Sequence, residues 1–128
     1  GDCAEHAGLL YGTWAPSQAQ GAVAGASAAG LPAAFHAIPR AHTLKVLGVE
    51  LFSVGTIHPL PSSRVIESGA EPYAWFHFED GLLTGAILLG DASLSARVKK
   101  AVESHLNFSK LLEGTPTVAE IGQFLQEN

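Results

Sequence analysis

The chain has 128 residues, 47% of them hydrophobic, which is enough apolar material for one ordinary domain or for a small domain with an appendage. Seven basic against twelve acidic residues give a formal charge of -5 with no basic stripe, which excludes a surface that tracks nucleic-acid phosphates. The weakly polar stretch from Ala19 to Phe35 is Ala and Gly interrupted by Gln20, Gly21, Gly25 and Ser27 and closed by Pro32, so it is not read as a membrane span. One cysteine rules out an internal disulfide framework, and the lack of an export signal leads us to expect a cytoplasmic setting.

The first predicted element is a helix over the Ala-rich run Pro16 to Gly30. Pro16 suits a first helical position, and Gly30 followed by Pro32 supplies a left-handed stop and then a breaker. Gly21 and Gly25 share a face of that helix and cost about 1 kcal/mol each relative to Ala, so close packing against a backbone or a flat ligand is expected. Leu31 to His42, with Pro32 and Pro39, reads as a connector.

From Thr43 the pattern changes to short strands: Thr43 to Leu47, Val49 to Val54, Arg64 to Ser68, Tyr73 to Glu79 and Leu82 to Leu89. Gly48 supplies one turn and Asp80-Gly81 a hairpin, while Ile57 to Ser63, with Pro59 and Pro61, is an irregular loop. Leu94, Val98, Ala101, Val102 and Leu106 form the stripe of an amphipathic helix. A last helix begins on Thr117, with Glu120 completing a capping box, and buries Val118, Ile121, Phe124 and Leu125. The expected fold class is α+β: an N-terminal Ala/Gly-rich helix, then a small antiparallel sheet domain with C-terminal helices. The boundary is placed so that residues 1–42 form the first part and residues 43–128 the second.

Most individual side chains carry no chemistry of their own. Cys3 has no partner at Cys-x-x-Cys spacing and is read as an inert, partly buried thiol. The six histidines have no paired ligand spacing, so no metal site is expected; Trp75, Phe76 and Phe78 are read as strand core rather than a stacking strip; Ser17 and Ser53 lack the partners of a hydrolase triad. No catalytic residue is assigned.

The informative unit is Gly1-Asp2-Cys3-Ala4-Glu5, a spacer ending in Tyr11-Gly12-Thr13-Trp14, and then Ala15-Pro16 opening the helix. It resembles the C-terminal flavin signature of the FAD-dependent pyridine nucleotide-disulfide oxidoreductase superfamily. Leu44-Lys45-Val46-Leu47-Gly48-Val49-Glu50-Leu51-Phe52-Ser53-Val54-Gly55 and the run Asp80 to Asp91 are similar to the NADH:rubredoxin oxidoreductase and NAD(P)H nitrite reductase flavoprotein group. With no Met anywhere and a start at Gly1-Asp2 without a lead-in strand, the chain is expected to be the C-terminal fragment of such an enzyme.

The resemblance implies an FAD cofactor, with NADH or NADPH as cosubstrate bound outside this fragment. It assigns Asp2, on the backbone freedom of Gly1, to the ribityl chain, and Trp14 and Ala15, at the positive helix opening, to the flavin ring. The implied partners are the parent's own FAD and NAD(P)H domains, a redox protein such as rubredoxin, and a second copy of the chain in a homo-oligomer. No Gly-x-Gly-x-x-Gly follows a strand, so the fragment alone is expected to be inactive. The competing reading is a free-standing protein-interaction module without redox function.

Overall fold

The computed structural model describes residues 1–128. The elements run β1 (Glu5–His6), β2 (Leu9–Leu10), α1 (Trp14–Ala28), β3 (Ala41–Val46), β4 (Val49–Gly55), β5 (Arg64–Glu67), β6 (Tyr73–Glu79), β7 (Leu82–Leu89), α2 (Ser95–Glu103), α3 (Ser109–Leu112) and α4 (Val118–Glu127). Three tight turns of one kind join β1 to β2, β3 to β4 and β6 to β7. In each, Ala7-Gly8, Leu47-Gly48 and Asp80-Gly81, both residues have positive φ, at 50 and 79°, 52 and 79°, and 48 and 78°. This is the geometry whose twist matches that of the flanking antiparallel strands. The chain divides into two compact units, Gly1–Ile38 and Pro39–Asn128.

The first unit holds the β1–β2 hairpin, which the sequence did not signal, and α1. The helix starts on Thr13 as N-cap, two residues earlier than the sequence indicates, so Pro16 is its third residue and not its first. Proline is tolerated there because the first acceptor is used by Ser17, whose N–H reaches the Thr13 carbonyl at 3.1 Å, and an N–H at position 16 would have no intrahelical partner. At the other end Gly30 (φ 75°) donates to the Ser27 carbonyl and Leu31 to the Ala26 carbonyl, each at 3.0 Å. That is the left-handed cap read from the sequence. Gly21 and Gly25 are exposed, and a methyl group on either would meet nothing within 4 Å, so the close packing they lead one to expect is not made within this chain.

The second unit is an antiparallel five-stranded sheet in the order β3-β4-β7-β6-β5. One face carries Phe52, Val54, Phe76, Phe78, Leu83 and Leu88 into a core completed by Val98 and Val102 of α2, Ile121 and Leu125 of α4, and Phe108. Phe108, wholly buried, lies between the rings of Phe78 (5.3 Å) and Phe124 (4.8 Å) and anchors α3, a short helix that sequence patterning missed. The register of β6 on β7 shifts between His77 and Phe78, which leaves Thr84 outside it and lets Leu83 and Ala86, three apart, both face the core.

Two glycines permit the close approach of β4 and β7 at their paired ends. A methyl group on Gly85 would lie 1.8 Å from the Thr56 carbonyl oxygen, and one on Gly55, whose φ is 70°, 2.1 Å from that of Thr84. No L side chain has room at either place.

Strand limits follow the prediction to within two residues: β3 begins at Ala41, inside the stretch read as a connector, β4 runs on to Gly55 and β5 stops at Glu67. The sequence carries the first strand through Leu47, but a two-residue turn needs positive φ at both of its residues, so the strand ends at Val46 and Leu47 stands 98% exposed. In α2 the predicted stripe is buried at Val98, Ala101 and Val102, and the helix closes at Glu103. There His105 (φ 54°) takes the position that Gly30 takes in α1, with Leu106 N–H bonded to the Ala101 carbonyl at 2.9 Å. In α4 the predicted capping box is present: Glu120 N–H donates to Thr117 Oγ1 (3.3 Å), and the Glu120 carboxylate accepts from Thr117 N–H at 2.7 Å. Arg64 fastens β5 to the end of α3 by donating to the carbonyls of Leu112 (2.5 Å) and Gly114 (2.7 Å).

Candidate functional site

Gly1 and Asp2 form a turn closed by Ala4 N–H on the Gly1 carbonyl at 2.8 Å. The Asp2 carboxylate is not free: Ser17 Oγ donates to its Oδ1 at 2.5 Å. Ser17 is the fourth residue of α1, so this one bond draws the acid to the first turn of the helix that Trp14 and Ala15 open. The sequence treated Ser17 only as a nucleophile without partners. Its signal, a hydroxyl one turn inside a helix whose mouth has an acid for a neighbour, is legible only once the two segments meet.

The opening of α1 is uncapped. Thr13 makes no side-chain cap bond and the first turn holds no acidic residue. The amide donors of Trp14 and Ala15 are therefore claimed by no capping side chain, and the acid drawn to the positive end of the helix dipole is Asp2, held on Ser17. Gly1, Asp2, Trp14 and Ala15 are all exposed, Trp14 by 77%. Asp2 makes a single bond through one oxygen and keeps the capacity to accept more.

The hairpin between these segments fixes their base. Glu5 accepts the Gly8 N–H. Tyr11 is buried, its hydroxyl accepting from Ile38 N–H at 3.2 Å, and Phe35 meets His6 and Tyr11 edge to face at 4.9 and 5.8 Å. Gly12 and Thr13, which lead into α1, thus start from an aromatic anchor.

Elsewhere the titratable groups are structural. Cys3 is exposed, not partly buried as the sequence indicated, because its turn lies outside any apolar cluster. His77 is fully buried, with Nδ1 2.8 Å from Thr84 Oγ1 and its ring stacked on Trp75 at 5.6 Å. Tyr73 donates to Glu67 Oε2 at 2.6 Å; that hydrogen bond, then burial and the carboxylate charge, holds the phenol above its ordinary range. No three His, Cys, Asp or Glu side chains gather to hold a metal ion. A groove of about 500 Å³ between α2 and α4 contains Arg97 and Lys100, both engaged by backbone carbonyls, of Gln126 and Asn128 respectively. The arrangement at Asp2 and α1 offers an anionic acceptor, two amide donors and an aromatic face. No helix is long and apolar enough to cross a membrane.

The family profile described as the rubredoxin NAD+ reductase C-terminal domain matches residues 41–106. NADH-rubredoxin oxidoreductase of Clostridium acetobutylicum is 33% identical over 112 residues, covering 87% of this chain and 30% of the relative. The nitrite reductase [NAD(P)H] of Bacillus subtilis is 29% identical over 114 residues, covering 86% of this chain and 14% of the relative. The crystal structure of the clostridial NADH:rubredoxin oxidoreductase superposes with a TM-score of 0.70 at 30% identity, over 97% of this chain and 32% of that one. The chain therefore spans less than a third of the length of the relatives it matches.

Proposed function

The chain belongs to the rubredoxin NAD+ reductase C-terminal domain family, and from that premise we propose that it serves as the C-terminal part of an FAD-dependent oxidoreductase that takes a hydride from NADH or NADPH. Electrons then pass to an acceptor such as rubredoxin or a nitrite-reducing centre. In this reading residues 1–42 are the end of the flavin-binding domain with its connector, residues 43–128 are an interaction domain, and the setting is cytoplasmic. The nicotinamide nucleotide is bound by polypeptide outside this chain.

The residues at the head of the chain fit one side of a flavin site. Two-electron chemistry is what FAD supplies when bound; this chain's residues bind and orient. Asp2, held in place by Ser17, accepts charge-assisted hydrogen bonds from ribityl hydroxyls, and Gly1 lets the backbone come close. The amides of Trp14 and Ala15 and the positive end of α1 would hold the pyrimidine side of the flavin and favour the negative charge that its reduction brings. The small side chain of Ala15 leaves room for that approach, and Trp14 borders the ring.

The observation that supports this most is the Ser17–Asp2 bond, which joins the acid to an uncapped helix mouth. The test is a chimera in which this chain replaces the matched part of the clostridial relative. It should purify yellow and oxidise NADH, and Asp2→Ala should weaken FAD retention by about 1.5–3 kcal/mol, the range for a charged hydrogen bond. A folded chimera that holds flavin equally well with and without Asp2 would sink the assignment.

A further inference from the structure

A helix whose first turn lies beside a carboxylate ordinarily uses it as a cap, because an Asp side chain is among the best acceptors for the free amides there and its charge suits the positive end of the helix. Helix α1 does not. Thr13 has the extended backbone of an N-cap (φ -137°, ψ 155°), yet its side chain makes no cap bond. The third helical residue, whose N–H a capping hydroxyl can take, is Pro16, which has none. The fourth, Ser17, gives its N–H to the Thr13 carbonyl at 3.1 Å. Two amide donors are left, those of Trp14 and Ala15.

The unit Gly1–Ile38 contains two acids, Asp2 and Glu5, and no Lys or Arg that could pair with either. Glu5 is occupied by Gly8 N–H. Asp2 is drawn to the first turn of α1, but the one hydrogen bond its carboxylate makes is with the Ser17 hydroxyl, at 2.5 Å, and not with either free amide. Position 17 stands between Ala15 and Ala19 in an Ala-rich helix, where Ala would be the better helix former. The hydroxyl therefore brings nothing to the helix itself; what it supplies is a competing partner for the acid.

Given the flavin reading, we propose that Ser17 is a positioning residue that keeps α1 from being capped by Asp2. Its hydroxyl holds the carboxylate to one side of the helix mouth, so that Asp2 and the Trp14 and Ala15 amides stay separate contacts for one ligand. A carboxylate bonded to those amides would satisfy donors and acceptor together, and an entering flavin would have to break that contact first. With Ser17 in place, one Asp2 oxygen is left for a ribityl hydroxyl and both amides are left for the ring.

Two measurements test this. In the chain as it stands, Ser17→Ala keeps the fold and should let Asp2 swing onto the mouth, slowing hydrogen exchange at the Trp14 and Ala15 amides at least about threefold; adding Asp2→Ala should reverse the change. In the chimera with the clostridial relative, Ser17→Ala should weaken FAD retention about three- to tenfold, and Ser17→Thr, which keeps a hydroxyl, should retain it. Once Asp2 is replaced by Ala, Ser17→Ala should bring no further loss. Unchanged amide exchange, a Thr variant that behaves like the Ala variant, or losses that add across the two positions would each overturn the role of Ser17. So would full retention in Ser17→Ala while Asp2→Ala still weakens it, and that result leaves the flavin reading standing. If Asp2→Ala itself leaves retention unchanged, the flavin reading falls and the role of Ser17 falls with it.

Discussion

The two units of this chain reach order by different routes. Pro39–Asn128 closes a sheet over helices with stripes of buried residues on both, so almost every element has somewhere to put its apolar side. Gly1–Ile38 has little to bury: in α1 only Pro16 is buried, and the apolar residues are small and spread around the helix. One unit is stabilised by its own core, whereas the other is held by an aromatic anchor, the Gly30 cap and a handful of polar bonds. Sites that await a ligand or more polypeptide belong to the second kind, because a surface already satisfied has nothing left to offer.

The contrast is broken most directly at Phe108. Phe108→Ala should lower the stability of the Pro39–Asn128 unit by about 3–5 kcal/mol in urea unfolding, since it empties a wholly buried aromatic site. A loss under about 1 kcal/mol would mean that this core collapses around the gap. Next in size is Arg64→Ala, which leaves the Leu112 and Gly114 carbonyls without their donor and should cost about 1.5–3 kcal/mol, again in urea.

In the first unit the sign reverses. Gly21→Ala and Gly25→Ala meet no obstacle and should each stabilise α1 by up to about 1 kcal/mol, seen as a gain in helical circular dichroism. Made in the chimera with the clostridial relative, the same changes should lower stability or flavin retention if those bare positions are where missing polypeptide or ligand approaches. An equal gain in both settings would remove the reason for the glycines.

The smallest effect concerns pH. The Glu120 carboxyl is held below its ordinary range by the Thr117 N–H and then by the Thr117 hydroxyl. A group with a depressed folded pKa contributes stability above its unfolded pKa, and that contribution fades as pH falls through the folded value. Glu120→Gln should therefore lower the melting temperature slightly at neutral pH and flatten the acid limb below about pH 4, where the two proteins converge. An acid limb of unchanged slope would show that the box does not carry it.

What the sequence disclosed follows the same division. Regular alternation in Tyr73 to Glu79 and Leu82 to Leu89, the Asp80-Gly81 turn and the Thr117/Glu120 box are local patterns, and each appears where it was read. Helix α3 stayed hidden because four residues are too few to show a period, and its reason for existing is Phe108, a tertiary contact. The β1–β2 hairpin was lost for the same reason of length. At the site, Asp2 and the helix mouth were visible as separate cues, whereas the Ser17 hydroxyl that joins them depends on a fold-back between residues fifteen apart.

The pairing of Gly55 with Gly85 bears on how relatives of this chain are compared. Both positions should stay invariant under random mutagenesis, and a catalogue of unchanging columns would rank them beside true ligand contacts. Their intolerance has no chemical content: two carbonyl oxygens occupy the space where a methyl group would stand. Invariance at this pair would record backbone crowding between paired strands, and neither column should guide a search for substrate.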